Sequence, residues 1–240
     1  MKLGSRMCRL ILIEFEQYWN FPAFELVLFA ALFSVLNRYP SSPGNYFMSV
    51  GPMVQILVIS VLIPRSFAGS FSRREMNVLL SYPVKRWEIL ASKTVTAFLV
   101  FFGALVFAFL LYVPLSAISL FSDEIYTVLG VVALHTAFLV STAIFISLAI
   151  KNEAMSAFFL VLTLLGLEFT LTTSQEPYRY FALTKGGDVL WAWTWKSLHP
   201  SFPREVAFGQ FSIALAYPLV TSILLIVASF IYFKWIMQLD

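Results

Sequence analysis

The chain has 240 residues, of which 60% are hydrophobic and only 12% charged, and its formal net charge is +3. Soluble domains are about a quarter charged, so the composition excludes a water-soluble globular protein and points to an integral membrane protein. The one cysteine, Cys8, excludes an intrachain disulfide and supports no Cys-based metal site.

Residues 1–20 form an interfacial segment. Within 5–20, Arg6, Arg9, Glu16, Gln17 and Asn20 fall on one side of a helix, with Met7, Ile11, Leu12, Phe15, Tyr18 and Trp19 on the other. Ile13 breaks the polar face. Such a helix lies in the membrane interface rather than crossing it. With no separate apolar core or cleavage site, no signal peptide is expected. The first span covers 21–36, short against the roughly 20 residues a bilayer needs, with Pro22 in its first turn and Glu25 near its inner end. A turn-rich loop follows over 37–46. The second span covers 47–63 and contains Pro52 and Gln55. Pro64 and Arg65 are expected to close it.

The stretch 65–93 is basic: Arg65, Arg73, Arg74, Lys85, Arg86 and Lys93 stand against Glu75 and Glu88. Such a loop between two spans should stay cytoplasmic. Ser72 to Glu75 reads as a capping box, Gly69 loosens the approach to it, and Pro83 ends the helix. About three turns lie between, with Phe71, Val78 and Tyr82 on one face. A short capped helix that is apolar on more than one side is a docking element.

The third span runs from Trp87 toward Ile118, with its first turns cytoplasmic through Lys93 and a kink at Pro114. Ser122, Asp123 and Glu124 make an acidic turn. The fourth span is 125–150, where Ala133, Ala137 and Ser141 form a small-residue seam and His135 and Thr142 point away from it. Lys151, Asn152 and Glu153 turn the chain into the fifth span, 154–171, with Glu168 near its outer end. The region 172–210 is too polar to span and carries Trp191, Trp193 and Trp195, read as interfacial anchors. It is expected to hold short helices that lie on the outer leaflet or re-enter it. The sixth span is 211–236.

The expected fold is therefore an all-α membrane protein with six transmembrane helices in one domain, 1–240. With the N-terminus inside, eleven Lys and Arg, from Lys2 to Lys234, fall in the inner segments, Arg38 alone lies in the short outer loops, and Arg179, Lys185, Lys196 and Arg204 lie in the long outer region. Both termini are thus expected in the cytoplasm, with Asn45 and Gly187 outside and Ser81 and Asn152 inside. Trp19, Trp87 and Trp235 fall at the inner boundaries. No Gly-rich phosphate loop, H-E-x-x-H or G-x-S-x-G is present. No catalytic residue or metal site is assigned, and His135 and His199 fall in different compartments. The polar groups near membrane depth are Glu25, Gln55, His135 and Glu168, candidates by position. The plainer expectation is that Glu25 and Glu168 reach water while Gln55 and His135 bond between helices.

Residues 75–93, EMNVLLSYPVKRWEILASK, resemble the first cytoplasmic loop of ABC-2 type transporter permeases, transmembrane subunits of type V-like ABC exporters. The resemblance lies in Glu75, Leu79, Leu80, Ser81, Pro83, Arg86, Glu88 and Lys93. Arg73, Arg74, Met76 and Asn77 depart from the small residues many members carry there. The interfacial helix, six spans and long outer region are similar in layout.

The resemblance implies a permease that pairs with a second permease chain in the plasma membrane, in contact with lipid. Separate ABC ATPase subunits, which hold ATP and Mg, would drive it. The chain itself is then neither an enzyme nor the holder of a cofactor, and no nucleic-acid partner is expected. The docking surface would be Phe71, Ser72, Arg73, Arg74, Glu75, Val78, Leu79, Leu80, Tyr82, Pro83 and Arg86. The sequence leaves the export substrate open. It also admits a non-transporting anchor or immunity-type subunit, or an intramembrane enzyme using His135 or Glu168.

Overall fold

In lipid, every backbone N–H and C=O must be bonded within the chain, and long apolar runs meet this as α-helices. The computed structural model describes residues 3–19, 23–36, 46–47, 50–73, 75–76, 84–112 and 123–236. Eight α-helices are described: α1 (Leu3–Trp19), α2 (Ala23–Leu36), α3 (Gly51–Ser72), α4 (Arg86–Tyr112), α5 (Asp123–Ile150), α6 (Glu153–Thr173), α7 (Leu183–Leu198) and α8 (Phe208–Ile231). Among the described residues there is no strand. Five of the helices, α3 to α6 and α8, are long and apolar enough to cross a membrane. This is the architecture of a helical multi-pass membrane protein. The apolar helix α2, with 14 residues, is shorter.

Helix α5 is the hub and touches α3, α4, α6, α7 and α8. Its middle is buried nearly all round, from Val131 and Val132 through Leu139 to Ile144. Of its small-residue seam, Ser141 is buried, whereas Ala133 and Ala137 are half-buried. Helices α6 and α8 present exposed Phe158, Phe159 and Leu162, and Leu219, Ile223 and Leu224, to the surroundings.

Several boundaries differ from expectation. Pro64 does not end the second span: α3 continues through it to Ser72. Proline cannot donate to the carbonyl one turn back, but membrane helices tolerate this where neighbouring helices enclose the gap. Here Ile59, Ile63, Pro64 and Phe67 are all buried. Ser72 consequently ends α3 rather than starting a helix. Its hydroxyl donates backward to the carbonyls of Ala68 and Gly69, at 3.3 and 3.0 Å. Gly69 lies inside α3 and leaves room there for the carboxylate of Glu153, the first residue of α6. Asp123 and Glu124 are the first turn of α5, where carboxylates favour a helix N-terminus. Residues 77–83, Arg74 and the Pro114 segment lie outside the described residues.

Candidate functional site

Two polar clusters are built into the bundle. The first joins α1, α3 and α4. Helix α1 buries Glu14 and Tyr18 against α4 and leaves Arg9, Leu12, Ile13 and Glu16 exposed. Its inward stripe, half-buried Ile11 and Phe15 with buried Glu14 and Tyr18, follows the i, i+3, i+4, i+7 rule, but one member is charged. Glu14 meets Lys93 of α4 at 2.7 Å. Both side chains are nearly inaccessible, at 4% and 1% exposure. The Lys93 ammonium also donates to the Ser66 carbonyl of α3 at 3.4 Å and lies 5.5 Å from the centre of the Phe67 ring. One cation thus ties three helices at one point.

Tyr18 and Ser66 flank this pair, and their buried hydroxyls have no hydrogen-bond partner among the described residues. Burial pushes the Tyr18 phenol up; the nearby Ser66 hydroxyl works against this and the Glu14 carboxylate with it. Tyr18 is therefore a neutral phenol beside an ion pair. One turn and a half before Lys93, buried Glu88 accepts from the Lys85 backbone N–H at 3.0 Å. It closes the N-terminus of α4 as the acidic half of a capping box.

Of the docking residues expected from sequence, Phe71 is half-buried, and Ser72, Arg73, Glu75 and Arg86 are exposed. Arg73 is the C-cap of α3 and pairs with Glu75 at 3.1 Å. Arg74, Val78, Leu79, Leu80, Tyr82 and Pro83 lie outside the described residues. Met76 is buried.

The second cluster surrounds the deep end of α7. This helix runs beside α8 with Gly186 against Ala214, and Trp193 against Phe208 and Phe211. Its N-terminus is accordingly the deeper end. The first ten residues of α7 are buried except Lys185. No side chain of its own caps the helix, because the N-cap position is Ala182. Glu168 of α6 does this instead. Its carboxylate accepts from the backbone N–H groups of Leu183 and Thr184, at 2.8 and 2.9 Å, and from the Thr184 hydroxyl at 2.5 Å. Glu168 does not reach water as expected; it is 3% exposed. Three donors surround the carboxylate, so it serves as a helix cap.

Gly186 and Gly187 permit this insertion. A Cβ on Gly186 would fall 2.6 Å from the Tyr180 carbonyl oxygen. One on Gly187 would fall 2.8 Å from His135 Cε1 and 2.9 Å from Phe47 Cε1. Gly187, expected on the outer surface, is therefore buried, and a label there would not report topology. Gly187→Ala should destabilise the protein by about 1–3 kcal/mol through overpacking. Pairing it with Phe47→Leu should recover part of that loss, as read by thermal unfolding.

The Phe47 ring packs edge-on to His135 and to Tyr46, with centroids 5.8 and 5.3 Å apart. The Tyr46 hydroxyl donates to Gln55 Oε1 at 3.1 Å, and the Gln55 amide donates to Thr136 at 2.6 Å. Gln55 thus bonds between α3 and α5, as expected. His135 and Glu168 both meet the first turns of α7, His135 at Gly187 and Glu168 at Leu183 and Thr184, whereas Gln55 is bonded to Tyr46 and Thr136. Glu25 is separate, exposed in the first turn of α2. The segment that follows α7 is tied back to it by Arg204, which forms a two-pronged ion pair with buried Asp188, one prong at 2.7 Å. Trp191 meets Phe202, and Trp193 stacks on Phe211. The tryptophan stripe is thus engaged in intramolecular aromatic contacts.

Among the described residues, no cluster of His, Cys, Asp or Glu could hold a metal ion. Sequence reasoning did not single out Glu14 as a partner for Lys93, Asp188 as a partner for Arg204, or Glu168 as a cap. The one available signal was a lone carboxylate on the apolar face of α1. Compared with models of known families, with curated proteins and with solved structures, the chain finds no match.

Proposed function

We propose that this chain is the permease subunit of an ATP-binding cassette exporter. It would pair with a second permease chain and be driven by separate ATPase subunits that bind ATP and Mg. Helix α2 is then the short first of six spans, both termini are cytoplasmic, and the membrane is the plasma membrane. The reading is supported by the resemblance over residues 75–93 and by the multi-pass architecture.

The observation that carries it is the position of Lys93. It ends the family-like stretch and is bonded to α1 through Glu14 and to α3 through the Ser66 carbonyl. The basic loop is therefore anchored where α1, α3 and α4 meet. A pull on the loop by a partner would move these three helices together rather than bend one of them. A chain with a docking loop and no phosphate-binding loop of its own needs an external source of energy.

Charge reversal in the loop tests the docking. Arg74→Glu or Glu75→Lys should leave insertion unchanged but reduce the amount of bound ATPase or uncouple its hydrolysis from transport. Insertion is checked by labelling Ser81→Cys and Asn152→Cys in a Cys8→Ser background, Cys8 being exposed. Normal ATPase binding and coupling in both reversal variants would remove the loop from the coupling role.

A further inference from the structure

Where α7 ends and α8 begins, a groove of about 620 Å³ opens between Trp193, Lys196 and Ser197 on one side and Glu205, Val206, Ala207 and Gln210 on the other. This is within the size range of small-molecule sites, roughly 300–1,000 Å³. It holds opposite charges. Lys196 Nζ and Glu205 Oε1 are 3.6 Å apart at 34% and 91% exposure, so the pair is solvated and costs little to open. The helix ends add partial charges in the converse order, negative beside Lys196 and positive beside Glu205. The last turn of α7 presents carbonyl oxygens that favour a cation, and the first turn of α8 presents N–H groups that favour an anion. Trp193, backed by Phe211 at 5.1 Å, supplies an aromatic wall suited to an ammonium group.

We propose that this groove binds the headgroup of a zwitterionic phospholipid. Lys196 and the α8 N-terminus take the phosphate. Glu205, the α7 C-terminus and Trp193 take the amine. The commitment to a lipid rests on what lies below. Gln210, Ile213, Tyr217, Val220 and Leu224 follow one another at spacings of three and four, which places them in a row along one side of α8. Ile213 and Tyr217 are half-buried, with Tyr217 packed on Phe138 and Phe181, and Val220 and Leu224 below them are 51% and 63% exposed. An acyl chain attached to a headgroup in the groove would run down this row. The inference depends on the membrane-spanning architecture and not on the permease reading, so failure to find a partner ATPase would leave it intact.

The test is native mass spectrometry of the full chain in detergent, titrated with phosphatidylethanolamine or with phosphatidylglycerol of the same acyl chains. One phosphatidylethanolamine should be retained at concentrations roughly tenfold lower than phosphatidylglycerol, the effect of one charge-assisted bond to the amine. Lys196→Gln should weaken phosphatidylethanolamine binding by a similar factor. Glu205→Gln should abolish the preference between the two lipids while leaving phosphatidylglycerol binding unchanged. Thermal unfolding confirms that these surface variants fold. Equal or tighter binding of phosphatidylglycerol by the unaltered chain would overturn the proposal. So would unchanged lipid preference in Glu205→Gln. Competition by free phosphoethanolamine at lipid-like concentrations would assign the groove to a soluble zwitterion and overturn the lipid assignment.

Discussion

Replacing Lys93 with methionine is expected to destabilise the protein by roughly 3–5 kcal/mol, because it leaves the buried Glu14 carboxylate without its counter-charge. Glu14→Leu should cost a similar amount by stranding Lys93. The double variant, Glu14→Leu with Lys93→Met, should recover most of the loss, since two apolar side chains of similar size can replace a buried ion pair at little cost. Non-additivity of this kind is the signature of direct contact. Thermal unfolding in detergent measures all three, and hydrogen exchange in α1 gives a local reading. The alternative is that Lys93 serves only as a cytoplasmic charge that fixes orientation. On that view Lys93→Met would unfold no earlier than the unaltered chain, and the double variant would show the sum of the single effects. The ion pair is 79 residues apart in sequence, so its loss should be felt first as release of α1 from α4.

Glu168→Ala is the second large effect expected. It removes the acceptor for two backbone N–H groups and one hydroxyl at the start of α7. A buried donor left unsatisfied costs about 1–3 kcal/mol, and α7 has no cap of its own to substitute. The first turns of α7 should therefore lose hydrogen-exchange protection, and Thr184→Cys in the same background should gain reactivity toward thiol reagents. Glu168→Gln keeps one acceptor oxygen and should fall between the two. This separates a cap from a proton carrier. A proton carrier would lose function in Glu168→Gln while α7 stayed fully protected, and that outcome would refute the capping role.

Much of the architecture was legible in the sequence for a simple reason. Apolar runs of membrane length have one solution in lipid, and α3 to α6 and α8 follow from run length alone. Helix ends were less legible. Pro64 and the Ser72 to Glu75 box are strong local stop and start signals. Tertiary enclosure of α3 overrides the first, and the continuing helix takes Ser72 as its last residue. Gly187 was expected on the outer surface, yet Gly186 and Gly187 both sit buried inside α7, where they allow close approach to Tyr180, Phe47 and His135. The two ion pairs and the Glu168 cap were not legible, because each joins groups brought together only by tertiary folding. Glu168 was conspicuous as a charge near membrane depth, and Lys93 as the last basic residue of the cytoplasmic loop. Their partners, Glu14 and a helix N-terminus, carry no periodicity that links them.

Purification of the chain from its native membrane in mild detergent tests the central claim most directly. The account predicts recovery with an ATPase subunit that contains a phosphate-binding loop, in a complex whose ATP hydrolysis is altered by Arg74→Glu. Recovery of the correctly inserted chain alone, or with an ATPase whose association and activity ignore Arg74→Glu and Glu75→Lys alike, would contradict it.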